Sequence, residues 1–460
     1  MVSKAETTDT EKPKDGQSGI PPLLNRSLHK IIPEDEFLEP LRENAISLFR
    51  IASGLSVDRG TFSTRYYFTL MNEAEKLETF LDDYGARENA TWHYFSELVA
   101  SIRNFAIASF QLSHILYRYT DYNPAESENS SEEFIIHGLE ALNYINSILE
   151  NLVHNAIEEL KFRGCIQCAP EVKSGAFKAV PKKLKLPRNL MEDGYKTSEE
   201  RVMRIVESYR KIAIKIHRDR YGRRLDPEEL AKMIPSRISE TNIKILENSL
   251  HNIQSEYDTH VGRPIREQSE QNLINLRAYI SIPMHLLEMA RWLIHFYERH
   301  EKGIHSDESR KKIAKIVDKY IVLKLISHFS LFYVHKYIMA GKQVSEKIMS
   351  RIARKKRIKV PVPKPAGFHA RPAYYITLVV EEHGTDIFMY VGDRKFDARS
   401  VLDLLEAGGR AADLRLEEVE FEGDERTLED IKLLAECNYC EDDKIPKGLN
   451  YIRVARNIMT

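Results

Sequence analysis

Through the first three quarters of the chain, apolar residues recur at intervals of three and four, the spacing of one buried helix face. Four long amphipathic stretches are predicted first: Glu36–Ser53, Thr61–Tyr84, Asn89–Tyr119 and Ser131–Arg163. The third shows the pattern most plainly, with Phe95, Leu98, Val99, Ile102, Phe105 and Ala106 along one side. Ser131, followed by Glu133, marks a helix start. Four long helices with short joins predict an up-down bundle over residues 31–163. The period lapses at Gly164–Lys196, a stretch broken by proline and glycine that carries the basic run Lys182-Lys183-Leu184-Lys185. It resumes in Ser198–Arg220, Ser239–His260, Glu267–His300 and Asp307–Ala340, with a short basic helix at Val344–Arg357. This predicts a second helical bundle over residues 198–355, a linker over 164–197 and a disordered polar tail over 1–30.

The two blocks share some spacing. Leu77 is followed seven residues later by Tyr84, then by Ile102-Arg103-Asn104-Phe105; Leu250 is followed seven later by Tyr257, then by Leu276-Arg277-Ala278-Tyr279. Gln111-Leu112 matches the place of His285-Leu286. Either the bundles are duplicated, or two amphipathic patterns agree by chance.

Beyond residue 355 the period changes. Arg357–Val362 alternates, with Ile358, Val360 and Val362 on one face. Thr385–Val391 and Lys395–Ala398 flank Gly392-Asp393-Arg394, a turn between two strands, and Leu414–Phe421 supplies a fourth strand. Helical patterns fall at Ala370–His383, Ser400–Ala407 and Thr427–Glu436. The order β-α-β-β-α-β-α predicts one sheet with helices on one face, an α+β open-faced sandwich over residues 356–436, with an extension over 437–460. The expected architecture is multidomain: mainly helical bundles, then this small α+β domain.

Charge and hydropathy narrow the setting. Lys plus Arg number 68 and Asp plus Glu 69, so nothing global draws the chain to nucleic acid or an anionic membrane. The most apolar run, Ile321–Val334, is short and holds Lys324 and His328, which excludes a spanning helix there. Met1–Pro22 is polar, without a signal-peptide core, so a cytoplasmic location is expected. The basic stretches Arg218–Arg224 and Arg351–Arg357 suit solvated helix faces or contact with phosphate-rich partners.

Candidate chemistry concentrates in Gly367-Phe368-His369-Ala370-Arg371-Pro372-Ala373, where strand turns into helix. Pro372 suits a first helical turn, in which its missing N–H costs nothing. Orphan N–H groups at a helix start favour anions, and a guanidinium such as that of Arg371 matches phosphate geometry. Neutral imidazole is a good nucleophile near pH 7, so His369 is the candidate phosphoryl acceptor.

This string resembles the active-site signature of the histidine-containing phosphocarrier (HPr) family, in which a glycine and an apolar residue precede His-Ala-Arg-Pro. A second string, Phe396-Asp397-Ala398-Arg399-Ser400-Val401-Leu402-Asp403-Leu404-Leu405-Glu406-Ala407-Gly408, resembles the family's regulatory-serine helix. The resemblance covers residues 356–436 and implies that His369 takes phosphate from an Enzyme I-like donor of the phosphoenolpyruvate sugar phosphotransferase system. It implies that Arg371 steadies the phosphoryl group and that Ser400 is the position phosphorylated in some relatives. Phe368 and Tyr374 stand where aliphatic and small residues are usual, and Asp403 where a small residue is usual, with Glu406 beside it. Such a chain is a phosphoryl-transfer intermediate rather than a stand-alone enzyme, its helical blocks serving an unidentified downstream protein or self-association. The rival expectation is an unphosphorylated scaffold that uses the HPr fold and the bundles for docking or oligomerisation.

All four cysteines fall in two Cys-x-x-Cys pairs, Cys165/Cys168 and Cys437/Cys440. Each pair has the bite of a tetrahedral zinc site, and one shared four-cysteine centre would clamp the C-terminal domain to the first bundle. Two redox pairs or simple thiols are the alternatives. His285, Glu288, His295 and His300 share one predicted helix but lack the paired Glu-x-x-His of a di-iron bundle, so core or surface roles are expected. Trp92 and Trp292 read as core anchors.

Overall fold

The structure is a computed structural model that describes residues 31–57, 63–122, 124, 128–165, 199–219, 221–261, 271–301, 307–442 and 445–453. The expected tail 1–30 and nearly all of the expected linker lie outside these residues. The first block forms α1 (Glu34–Ala52), α2 (Thr64–Asp83), α3 (His93–Tyr122) and α4 (Glu128–Phe162). The second forms α5 (Glu199–Arg218), α6 (Pro227–Met233), α7 (Glu240–His260), α8 (Gln271–Glu301), α9 (Asp307–Ile316), α10 (Lys319–Lys324) and α11 (Phe332–Ile352). Side-chain caps set several starts: Ser63 accepts from the Tyr66 N–H at 3.3 Å and Ser239 from the Asn242 N–H at 3.1 Å.

Several details differ from the periodicity: Pro227–Met233 is a short helix it did not mark, and the last strand begins at Glu418 rather than Leu414, which caps the helix before it. The stretch expected as one helix over Asp307–Ala340 is interrupted at Val317-Asp318, because Asp318 accepts from the Tyr320 N–H at 2.8 Å and starts a new helix. It then widens into a π-helical segment, Leu325–Leu331. The basic helix expected at Val344–Arg357 is the end of α11, and only Ala353 and Arg354 separate it from the first strand.

In the first block α1 packs on α2, α2 on α3 and α3 on α4; α5 on α7, α7 on α8 and α8 on α11 repeat that order. The blocks meet where α3 lies against α8, and one continuous core runs from Phe37 to Met349. Phe105 and Phe296 pack 4.8 Å apart across this join, and the Tyr119 and Tyr337 hydroxyls hydrogen-bond at 2.8 Å. Trp92 is buried in the same core.

The C-terminal domain comprises β1 (Lys355–Pro361), α12 (Ala370–His383), β2 (Phe388–Val391), β3 (Arg394–Asp397), α13 (Val401–Asp413), β4 (Glu418–Asp424) and α14 (Glu425–Glu436). The sheet is antiparallel, in the order β1-β4-β2-β3, with Ile358 opposite Phe421, Val360 opposite Val419 and Met389 opposite Phe421. Val360, Val419, Phe421, Met389 and Val391 are buried beneath the helices. Alternate residues such as Arg357, Lys359 and Glu418 point away, which makes one face polar. Tyr439, Cys440, Leu449 and Ile452 join this core, so part of the segment after α14 is packed onto the domain.

The domain is seated on the helical block by the far end of α12. Arg210 of α5, 2% exposed, donates to the carbonyls of Glu381 at 2.6 Å and Glu382 at 2.8 Å. These belong to the last turn of α12, where orphan carbonyls and the helix dipole favour a cation. Gly384 ends the helix at φ +67°, and its missing side chain leaves the space the Arg210 guanidinium fills. Arg426 pairs with Glu207, and Ser350 donates to Asp386 at 3.2 Å.

Candidate functional site

The loop from β1 to α12 is wound tightly: the Gly367 N–H reaches the Pro363 carbonyl at 2.9 Å, and Gly367 takes φ +70°. His369 is the N-cap of α12 in extended conformation, and its side chain makes no capping bond. The first N–H to return to it is that of Ala373, at 3.1 Å from the His369 carbonyl. Pro372 has no N–H to give, so the Ala370 N–H lies at the mouth of the helix ahead of the first intrahelical bond. The His369 side chain is 39% exposed, open to a partner yet held in place.

Two contacts position the loop. Phe368 is buried and meets the Tyr439 ring edge-on at 5.3 Å. Gly408 of α13 lies flat against it, such that any Cβ there would strike the Phe368 carbonyl oxygen. The residue before the histidine is thus pinned between α13 and the segment after α14.

That segment supplies a residue the motifs did not indicate. Asn438, Tyr439 and Cys440 are successive left-handed residues, with φ of +49°, +52° and +59°. Non-glycine residues there cost on the order of 1 kcal/mol or more each and persist only where the surroundings hold them. Here the Asn438 amide accepts from the Lys364 N–H at 2.9 Å and donates to the Lys364 carbonyl at 2.7 Å, and the Tyr439 hydroxyl donates to the Pro361 carbonyl at 2.8 Å. The result places the Glu441 carboxylate, 14% exposed, 3.1 Å from His369 Nε2. The approach is of ion-pair length but is not aligned as a hydrogen bond, and Glu441 Oε1 has no other partner. Arg371 is tied to the same residue, its Nη1 3.4 Å from the Glu441 carbonyl oxygen. His369, Arg371 and Glu441 therefore form one cluster at the helix mouth.

Ser400 stands apart from it as the N-cap of α13. Its hydroxyl accepts from the Asp403 N–H at 3.1 Å and donates to the Asp403 carboxylate at 2.8 Å. Asp403 also accepts from the Asp397 N–H at 3.2 Å. A phosphate on Ser400 would displace that bond and face a carboxylate.

The cysteines divide between two cores. Cys165 is buried with the helical block, Cys440 is buried in the C-terminal domain and Cys437 is half-buried; Cys168 lies outside the described residues. Among the described residues no three His, Cys, Asp or Glu side chains converge as a metal site.

The histidines of α8 have separate partners. His285 Nδ1 is 2.7 Å from Gln111 Oε1 and its ring packs 4.6 Å from His114; burial, then His114 and two nearby arginines, push it down to about 3. Burial and the neighbouring Glu247 push Glu288 up to about 7, against the pull of Arg291. His295 meets Glu240 at 2.7 Å, and His300 meets Ser101 at 3.4 Å. Gln111 thus joins His285 and Glu288, whereas His295 and His300 pair elsewhere.

Among the described residues no helix is long and apolar enough to cross a membrane. Compared with family models, curated proteins and solved structures, the chain matches none.

Proposed function

We propose that the C-terminal domain is an HPr-like phosphoryl carrier, that His369 is its acceptor, and that the helical block presents it to partners. The observation that carries this reading is His369 at an uncapped helix N-terminus, partly exposed, with Arg371 and Glu441 beside it. The four-stranded antiparallel sheet with helices on one face also supports it.

The chemistry follows from the contacts. A carboxylate beside Nε2 favours a proton on that nitrogen and leaves the Nδ1 lone pair as nucleophile. Nδ1 attacks phosphorus, the bond from phosphorus to the donor breaks, and the donor keeps the electron pair. The ring becomes cationic as it takes the phosphoryl group, and Glu441 balances that charge. The phosphoryl oxygens meet the positive end of α12 and the Arg371 guanidinium. Such a transfer needs positioning and electrostatics more than covalent machinery.

The test is to incubate the full chain with phosphoenolpyruvate and an Enzyme I and to measure acid-labile phosphate. Wild type is expected to take up label that His369→Ala does not. Equal labelling of the two proteins removes the reading; no labelling of either, with partner binding intact in His369→Ala, favours the scaffold.

A further inference from the structure

A second site lies in the helical block, where α4, α10 and the π-helical segment meet the loop before α6. It is a cavity of about 340 Å³. Its floor is apolar, with Leu325 and Phe329 each 5% exposed. Its rim carries Tyr144 and Tyr320, 55% and 47% exposed, and two cations, Arg224 and Lys324. His137 and His328 also line it, and Glu140 is the one carboxylate in the lining.

Three features distinguish this place from an ordinary solvated basic face. The first is that the cations are in no salt bridge among the described residues. The Arg224 guanidinium lies 4.1 Å from the Phe332 ring centroid, and Lys324 Nζ lies 4.7 Å from that of Tyr320. A cation resting on an aromatic face keeps its charge available to an anion. The second is the π-helical segment, a rare distortion that recurs at functional sites. The third is that this segment forms the floor and fastens the rim. Ser327, 1% exposed, donates to the Leu225 carbonyl at 2.7 Å, which fastens the loop that carries Arg224; Ser330 donates to the Leu286 carbonyl at 2.6 Å and anchors the segment to α8. His328 Nδ1 lies 3.2 Å from Ser327 Oγ, and His137 Nδ1 lies 2.8 Å from the Tyr333 hydroxyl.

The geometry points to a binding site for a small organic anion. Its flat apolar body rests against Tyr144, Tyr320 and Phe329, and its carboxylate or phosphate head is held by Arg224 and Lys324. The volume is near the lower end for small-molecule pockets, about 300–1,000 Å³, which suits a single-ring compound. An apolar floor with a few convergent charges binds the two halves of such a ligand together better than either alone. The site is independent of the His369 chemistry.

The experiment is calorimetric titration of the full chain with phenyl phosphate, benzoate, inorganic phosphate and phenol. At least one of the two aromatic anions is expected to saturate a single site, and which one does identifies the head group. Inorganic phosphate and phenol should each bind at least about tenfold more weakly than that anion. Arg224→Glu and Lys324→Glu, both at exposed positions, should each weaken it about tenfold or more, as should Tyr144→Ala. The same ligand should protect Lys324 of the wild-type chain from acylation, a readout that needs no variant. Saturation by neither aromatic anion overturns the proposal, as does inorganic phosphate binding as well as phenyl phosphate. Undiminished binding in the charge-reversed variants, or acylation of Lys324 at the unprotected rate, does the same.

Discussion

At the scale of single residues, the candidate site divides by how far apart its members lie in the chain. His369 and Arg371 were legible because glycine, histidine, arginine and proline sit within six residues, each with a local reason to be there. Glu441 was not legible. It arrives from about 70 residues away through three left-handed residues, of which only Asn438 is a turn signal, too little to announce the bend. The contact makes a specific prediction. Glu441→Gln keeps the shape but removes the charge beside Nε2 that, on the proposed function, would balance a phosphorylated ring. Phosphoryl uptake should slow about tenfold or more, with the fold unchanged by circular dichroism. Faster uptake would mean that the carboxylate chiefly repels the incoming dianion, and the positioning role would be lost.

At the scale of elements, α12 links the histidine at its start to the helical block at its end, and α13 sets the height of the histidine loop through Gly408. Gly408→Ala should push Phe368 outward, because the added methyl meets backbone rather than a side chain that could swing away. Overpacking of this kind costs about 1–3 kcal/mol. Acceptor activity should fall with it, and urea melts alongside uptake assays check both effects. Helix α8 makes a separate prediction. The unfolded chain protonates His285 near 6.5, whereas the folded chain does so only near about 3. The stability from keeping it neutral is full above pH 6.5 and is lost as pH falls towards 3, on the order of 5 kcal/mol. Glu288 acts oppositely: its folded value near 7 favours the folded state at low pH, and that contribution is lost as pH rises from its ordinary value of 4.5 towards 7. The two oppose each other between about 4.5 and 6.5, and the loss from His285 continues alone below that. His285→Gln should therefore flatten the acid limb below pH 4.5 in denaturant melts. An unchanged limb would show that this histidine is not responsible.

At the scale of the molecule, periodicity placed most helices within a few residues of their ends, because long amphipathic stretches repeat the same signal many times. It missed α6, only seven residues long, and the break at Asp318, where one cap outweighs a continuing pattern. The shared core of the two helical blocks and the seat of the C-terminal domain were not visible, since both depend on contacts between distant segments. Arg210, for instance, reads as one polar position in an amphipathic helix yet is buried against carbonyls more than 170 residues away. Arg210→Met should cost about 1–3 kcal/mol, since the last turn of α12 loses the buried guanidinium that its carbonyls accept from. Amide exchange at the end of α12 should quicken in that variant; exchange that matches wild type would show that the clamp does not hold the domain. The central claim remains the chemistry at residue 369. Its most direct test is phosphosite mapping of the full chain, under alkaline conditions that spare phosphohistidine, after incubation with phosphoenolpyruvate and an Enzyme I. The account predicts a single modified residue, His369; phosphate found only on other residues would contradict it.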